Sequence, residues 1–340
     1  MLTPRHAVPE ITKATYASLT PELLASTSPV ILRGLVKDWP LVKKSTQCSQ
    51  QQSQRDATQY LKSFSNHNKV RAFAADAKEQ GRFFYNHDMS GFNFTQNTTH
   101  LDTLLDNLAD YQALAEPPGL YMGSTSIDHI LPGFRLQNDI PILADKPLIS
   151  MWIGNQSRIA AHYDVTDNIA CVAAGRRRFT VFPPNQLDNL YVGPLDFTPA
   201  GQPASLVDFK QPDLGKYPKF SEAMEHAQVA ELEAGDGIFI PSMWWHHVEG
   251  LSSFNILVNY WWRQVDNHLG APMDALNHAL LSIKDLPQAQ RDAWRDIFEH
   301  YVFSPQQPAY IPEHKQGVLA PISQQVARKL RALLVNNLNR

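Results

Sequence analysis

The sequence predicts a mainly β protein, a sandwich or barrel, with mixed α/β decoration before it and helices after it. Three observations predict this. From about Gly119 the chain breaks into short apolar runs separated by proline, glycine and aspartate. The 340 residues include 24 prolines, which suit a loop-rich β protein better than a helical bundle. After Trp262 the apolar spacing becomes helical. Hydrophobic residues make up 43% of the chain and charged residues 19%, so it can bury a real core and is neither disordered nor fibrous.

The elements follow in order. Val30 to Leu32 reads as a short strand, followed by Gly34 and a Trp39-Pro40 turn. Lys44 to Gln54 is polar and reads as a surface loop entering a helix over Asp56 to Phe64. Val70 to Phe73 is a strand candidate, and leucines at 101, 104, 105 and 108 carry a helical period. The β region then offers Leu120–Met122, Leu148–Ile153, Ile169–Ala173, Arg178–Phe182, Ala230–Leu232, Gly237–Ile240 and Phe254–Tyr260. A proline-rich connection runs from Pro183 to Glu225; connections this long usually lie over a site. Helices are expected over Pro272 to Ile283, Pro287 to Phe303 and Ser323 to Leu338, with Ser323 as a cap and a proline-rich loop over 308–321. Arg328, Lys329 and Arg331 make the last helix locally basic, which reads as a solvated face.

Composition excludes several classes. Thirty lysines and arginines against 33 aspartates and glutamates give a net charge of −3, so nothing global suggests a polyanion binder. Two cysteines, Cys48 and Cys171, argue against a disulfide framework and against a thiolate zinc site. The N-terminal residues carry no secretory pattern, and no run of 18 apolar residues occurs. The expectation is a soluble cytoplasmic protein without a membrane partner.

The chemistry is concentrated in two stretches. In IAAHYDVTDN, His162 and Asp164 are two apart, and on a strand residues two apart point to one side. Taken alone, this pattern is most often a surface turn. In ELEAGDGIFIPSMWWHHVEG, an Ala234-Gly235-Asp236 turn leads into a buried strand and then to Trp244, Trp245, His246 and His247. A histidine from a strand beside the His162 strand would complete a two-histidine, one-carboxylate triad. Such a triad suits Fe(II) or Mn(II), with zinc as a further option.

These motifs resemble the cupin-like branch of the JmjC oxygenases, and within it the asparaginyl hydroxylases. The likeness rests on His162-Tyr163-Asp164 with Asn168, GRRRFTVFPP at Gly175 to Pro184, the Gly235 to Glu249 run and VNYWW at Val258 to Trp262. PVILRG and DWP between Pro29 and Pro40 also match, so the resemblance spans about residues 25 to 265. It implies a double-stranded β-helix, the cupin jelly roll. It also implies use of Fe(II) and 2-oxoglutarate, with release of succinate and CO2. By motif position, His162, Asp164 and His246 are the implied iron ligands. Arg177 stands where the family has the cation for the distal carboxylate of 2-oxoglutarate, a lysine in the similar hydroxylase. Strand alternation sets Arg177 with Phe179 and Val181, opposite Arg176 and Arg178, which turns Arg177 inward. Tyr121 matches a tyrosine on the same carboxylate. Asn168 and Asn259 match amides near the co-substrate and metal; a buried asparagine on an apolar strand needs a partner. His247, next to His246, should face away. One departure is Ile159, where the family has a threonine that contacts 2-oxoglutarate.

The resemblance divides the chain into a catalytic unit over 1–265 and a helical, dimerising region over 266–340. The leading function is a hydroxylase acting on a protein side chain. Alternatives are a metal-binding cupin enzyme that does not use 2-oxoglutarate, a hydroxylase of a small molecule or a modified RNA base, and a non-catalytic cupin binding module. The net charge argues against RNA, and nothing indicates DNA. The aromatic and asparagine-rich segment Phe83 to Asn97 reads either as an entrance to the site or as ordinary packing.

Overall fold

A computed structural model describes residues 4–141, 147–199, 201–305 and 308–339. It forms two compact units, Met1–Gln264 and Val265–Arg340. The strands of the first unit are β1 (His6–Ala7), β2 (Glu10–Ile11), β3 (Val30–Leu32), β4 (Lys69–Ala75), β5 (Arg82–Phe83), β6 (Phe94–His100), β7 (Gly119–Ser126), β8 (Leu148–Gly154), β9 (Ser157–Tyr163), β10 (Asp167–Ala174), β11 (Arg176–Phe182), β12 (Gln228–Glu233), β13 (Gly237–Ile240), β14 (Trp245–Gly250) and β15 (Asn255–Trp262). Its helices are α1 (Pro21–Leu24), α2 (Pro40–Thr46), α3 (Gln50–Lys62), α4 (Leu101–Tyr111), α5 (Ile127–Ile130) and α6 (Phe220–His226).

Two sheets face each other. One has the order β1-β12-β11-β14-β9-β5, the other β2-β3-β13-β10-β15-β8-β7-β4-β6. This is the jelly-roll arrangement expected from the sequence. β10 shows why the layers stack: all eight of its residues are buried. Ala170 and Val172 point between the sheets, where they meet Phe179, Val181, Ile238, Ile240, Val248 and Leu257. Ile169, Cys171 and Ala173 point the other way, into a second core that holds Leu41, Val42, Leu61 and Leu104 of the helices. Each fully buried leucine or phenylalanine contributes roughly 1.5–3 kcal/mol. A strand with two apolar faces therefore pins both layers.

Two glycines are required by geometry. Gly175 turns β10 into β11 at φ +75°, and a Cβ there would lie 2.4 Å from the Phe254 carbonyl oxygen. At Gly154 a Cβ would lie 2.5 Å from the Cβ of Tyr121, so glycine lets β7 and β8 close up at that tyrosine.

The expectations differ from the structure in places. Pro40 opens a helix, α2, because proline is pre-organised for a first turn. The polar stretch before Asp56 is largely helical: α3 starts at Gln50. There the buried face consists of Ser53 and Gln54, and Ser53 Oγ accepts from the Cys48 amide at 3.1 Å. Apolar periodicity does not reveal a turn anchored by polar groups. β6, with the sequence FTQNTTH, was not expected as a strand because it has no apolar alternation.

The second unit contains α7 (Pro272–Ser282), α8 (Gln288–Phe298), α9 (Glu313–Gln316) and α10 (Gln324–Leu338). The helix expected to Phe303 loosens at Glu299 into a π turn. The expected loop over 308–321 holds the single turn α9. Ser323 caps α10 by accepting from the Val326 amide at 3.3 Å. Among the described residues no helix is long and apolar enough to cross a membrane.

Candidate metal centre

β9 and β14 are antiparallel neighbours, and His162 lies directly opposite His246. Their rings are 4.4 Å apart between centroids. Asp164 follows just beyond β9, with Oδ2 3.7 Å from His246 Nε2. One ligand atom from each of His162, Asp164 and His246 lies within 4.8 Å of the others. This is the spacing of groups able to share one ion.

A β-bulge produces the arrangement. Ile159 pairs with Val248 and His162 with His246, so three steps along β9 match two along β14. The extra residue puts Ile159 and His162 on the same inner face although they are three apart. Ile159 packs into the inner cores, whereas Ala160 packs outward against Phe84, Tyr85 and Ala204. Each imidazole is aimed by the carbonyl two residues before it. His162 Nδ1 is 2.9 Å from the Ala160 carbonyl oxygen, and His246 Nδ1 is 3.0 Å from that of Trp244. A carbonyl only accepts, so each Nδ1 holds the proton and each Nε2 keeps its lone pair for a metal. Burial and the neighbouring His162 hold His246 down to about 4, against the partial opposition of Asp164, so it is neutral near pH 7.

Asp164 is held from two sides. The Trp261 indole Nε1 donates to its Oδ2 at 3.1 Å. The Met243 amide donates to its backbone carbonyl at 2.8 Å from the β13–β14 turn, where Met243 adopts a left-handed φ of 68°. The long connection closes over the first histidine: Ala204 bridges to His162, and the Ser205 amide donates to the Ala161 carbonyl at 2.7 Å. Ala200, within that connection, lies outside the described residues.

Arg177 lies on the inner face of β11. It shares that face with Phe179 and Val181, and Val181 is opposite His246. Its neighbours Arg176 and Arg178 point outward to Glu231, Glu233 and Glu249. Arg177 is only 7% exposed, and its Nε has no partner. It forms no ion pair among the described residues, and burial pushes its guanidinium down to about 10. Such a cation demands an anion. Tyr121 packs against Phe83, with Trp152 and Ile159 beside it, and burial pushes its phenol well up.

Asn259 and Asn168 are joined on the inner face, with Asn259 Nδ2 donating to Asn168 Oδ1 at 2.8 Å; Asn259 Oδ1 has no partner. His247 faces outward and stacks on Phe209, 4.3 Å away. Sequence reasoning missed Trp261 and Trp152. Trp152 lies opposite Leu257 on β8, and its buried indole Nε1 is also unpartnered. For Trp261 a signal was present, since it lies two residues after Asn259 on one strand and therefore on the same face.

Residues 17–268 match the model of the family described as "Cupin-like domain". The chain belongs to the cupin-like domain family. Three similar proteins give the range. Over 116 residues it is 32% identical to a protein of Arabidopsis thaliana named "Lysine-specific demethylase JMJ31", covering 34% of this chain and 21% of the relative. Over 237 residues it is 26% identical to "tRNA wybutosine-synthesizing protein 5" of Gallus gallus, covering 60% of this chain and 71% of that protein. Over 263 residues it is 25% identical to "Lysine-specific demethylase 8" of Xenopus tropicalis, covering 75% and 53%. The chain thus spans from about a fifth to about seven-tenths of these relatives' lengths.

Proposed function

We propose that this cupin-like protein is an Fe(II)- and 2-oxoglutarate-dependent hydroxylase acting on a protein side chain. The observation that carries the reading is Arg177, a buried cation with no ion pair among the described residues, on the same inner face as the His162, Asp164 and His246 cluster. Relatives named as demethylases support oxygenase chemistry. The narrower likeness of the motifs to asparaginyl hydroxylases favours a stable hydroxyl as the product.

The residues fit the cofactors. Two imidazoles and one carboxylate, without thiolates, suit a facially held Fe(II). Once bound, iron(II) and 2-oxoglutarate supply an oxidation in which O2, the co-substrate and a C–H bond yield succinate, CO2 and a C–OH group. The protein's own part is positioning. The Ala160 and Trp244 carbonyls fix both imidazoles, and the Trp261 indole orients Asp164. Arg177 lies four residues along β11 from Val181, about 13 Å at ~3.3 Å per residue, a separation suited to holding the far carboxylate of a short dicarboxylic acid. Tyr121 is a second donor for that carboxylate, and Asn168 and Asn259 line the path to the metal. Ile159 offers no hydroxyl, so the clamp relies on the bidentate fork of arginine.

The test is succinate formation from 2-oxoglutarate with added Fe(II), wild type against His162→Ala. Turnover in the wild type alone supports the reading. Absence of both coupled and uncoupled turnover in metal-loaded protein favours the cupin that does not use 2-oxoglutarate, or the binding module. A second substrate class has its own support. The relative from Gallus gallus is named for tRNA wybutosine synthesis and is covered over 71% of its length, so a modified RNA base is the runner-up. We further infer that the helical unit pairs two copies, because Leu333, Leu334, Val335 and Leu338 of α10 are exposed together.

A further inference from the structure

Sheet edges are usually kept short, charged or bulged, because their free N–H and C=O groups recruit other strands. In the two sheets here, β1, β2 and β5 are terminal strands of two residues each. β6, the remaining terminal strand, is different. It runs seven residues, pairs with β4 without a register shift from His100 to Phe94, and contains no proline, lysine, arginine, aspartate or glutamate. Most of its residues are exposed.

Beside the start of β6 lies a cleft of about 920 Å³, lined by Phe94 and Thr95 of β6 and by Arg82 and Phe84. Arg82 stacks on Phe84, its Cζ 3.9 Å from the ring centre. Its ion pair with Asp208 is long, at 3.4 Å, and Asp208 also pairs with Arg158 at 2.9 Å. Two guanidinium groups thus meet one carboxylate. Arg82 makes no side-chain hydrogen bond among the described residues. The other carboxylates of the cleft are engaged: Asp76 with Lys78, Glu79 with Asn93, and Asp213 with the Gly215 and Lys216 amides.

We propose that β6 and this cleft form a docking site for an extended polypeptide that carries an acidic side chain. The peptide adds as a strand to the free edge of β6, and its carboxylate takes the unused donors of Arg82. Main-chain pairing supplies the affinity, and Arg82 selects the acidic residue. A second copy of β6 fits less well, because FTQNTTH brings no carboxylate to Arg82. The site does not depend on the chemistry at the metal centre.

The experiment uses the full-length, metal-free protein with binding as the readout, so failed turnover does not affect it. The probes are fluorescein-labelled eight-residue peptides of alternating threonine and valine, with one glutamate moved through every position. Binding is followed by anisotropy, and protection of β6 amides by hydrogen exchange. The expected result is saturable binding that protects β6. N-methylation of alternate residues should weaken it at least tenfold in one register and leave it nearly unchanged in the other. Replacing the probe glutamate by glutamine should weaken binding roughly 5- to 30-fold, and Arg82→Gln should erase that preference. Because the glutamine and N-methyl probes act on the wild type, the test holds even if Arg82→Gln misfolds. No binding across the series, equal binding of both N-methyl registers, or tighter binding of an eight-nucleotide oligouridylate would overturn the proposal. So would protection of β6 by concentration-dependent self-association that the peptides do not relieve.

Discussion

The indole of Trp261 donates to Oδ2 of Asp164 at 3.1 Å, which ties the carboxylate of the triad to the strand that also carries Asn259. Groups that orient metal ligands in this way typically affect metal affinity by roughly 10- to 100-fold. Trp261→Phe keeps most of the ring packing and removes the donor. Its Fe(II) or Co(II) affinity, measured by competition with a chelator, should fall within that range while the thermal midpoint changes little. Unchanged affinity would show that Asp164 is oriented without the indole.

On the proposed reading, Arg177 sets stability against binding. Its burial with no ion pair among the described residues costs folding energy, a cost that an apolar side chain of similar volume does not carry. Arg177→Met should therefore raise the urea midpoint of the ligand-free protein and abolish 2-oxoglutarate binding. Arg177→Lys should retain part of the binding, as a point charge in place of a fork. A destabilised methionine variant that still binds 2-oxoglutarate would contradict both halves.

Two neighbouring histidines predict an acid-sensitive fold. Burial holds His246 down to about 4 and His247 down to about 3, against an ordinary value of 6.5. Between those values the unfolded chain binds protons that the folded chain refuses. Stability is therefore complete above about pH 6.5 and falls as the pH drops towards 4. Each group adds a slope of up to about 1.4 kcal/mol per pH unit. His247→Phe, which keeps the stack on Phe209, should flatten the slope of the metal-free protein by about one proton between pH 6 and 4.5. Urea titrations at four pH values measure this, and identical slopes would refute it.

Pairing through α10 predicts that Leu334→Glu and Leu338→Glu convert a dimer to a monomer in light scattering, because they place charge on a face that is otherwise exposed and apolar. A wild type that is monomeric at high concentration would remove the inference.

The sequence made β10, β11, β13 and β15 legible, because each carries a short apolar run bounded by turn residues. The motifs brought His162, Asp164 and His246 together as one candidate cluster, and the structure places them as neighbours. The bulge at Ala160 and Ala161 was not legible, since it exists only in the register between β9 and β14, and nothing local in Ile159–His162 encodes it. β6 escaped because it is exposed and polar on both faces, so its pairing with β4 leaves no hydrophobic period to read. The contact of Ala204 with His162 joins residues far apart in sequence, and the Pro183–Glu225 connection foretold it only as a loop over a site.

The bulge in β9 absorbs one residue that plain pairing with β14 would not accommodate. Three steps separate Ile159 from His162, and strict alternation over three steps would turn His162 away from Ile159, towards the outer layer of Phe84 and Tyr85. Deleting Ala160 or Ala161 would remove the bulge and leave Ile159 and His162 two steps apart, still on one face and with His162 still opposite His246. The inward aim of His162 therefore survives a shorter strand but not a straightened strand of the present length. The cluster of His162, Asp164 and His246 is held by the register between two strands and not by the sequence of either alone.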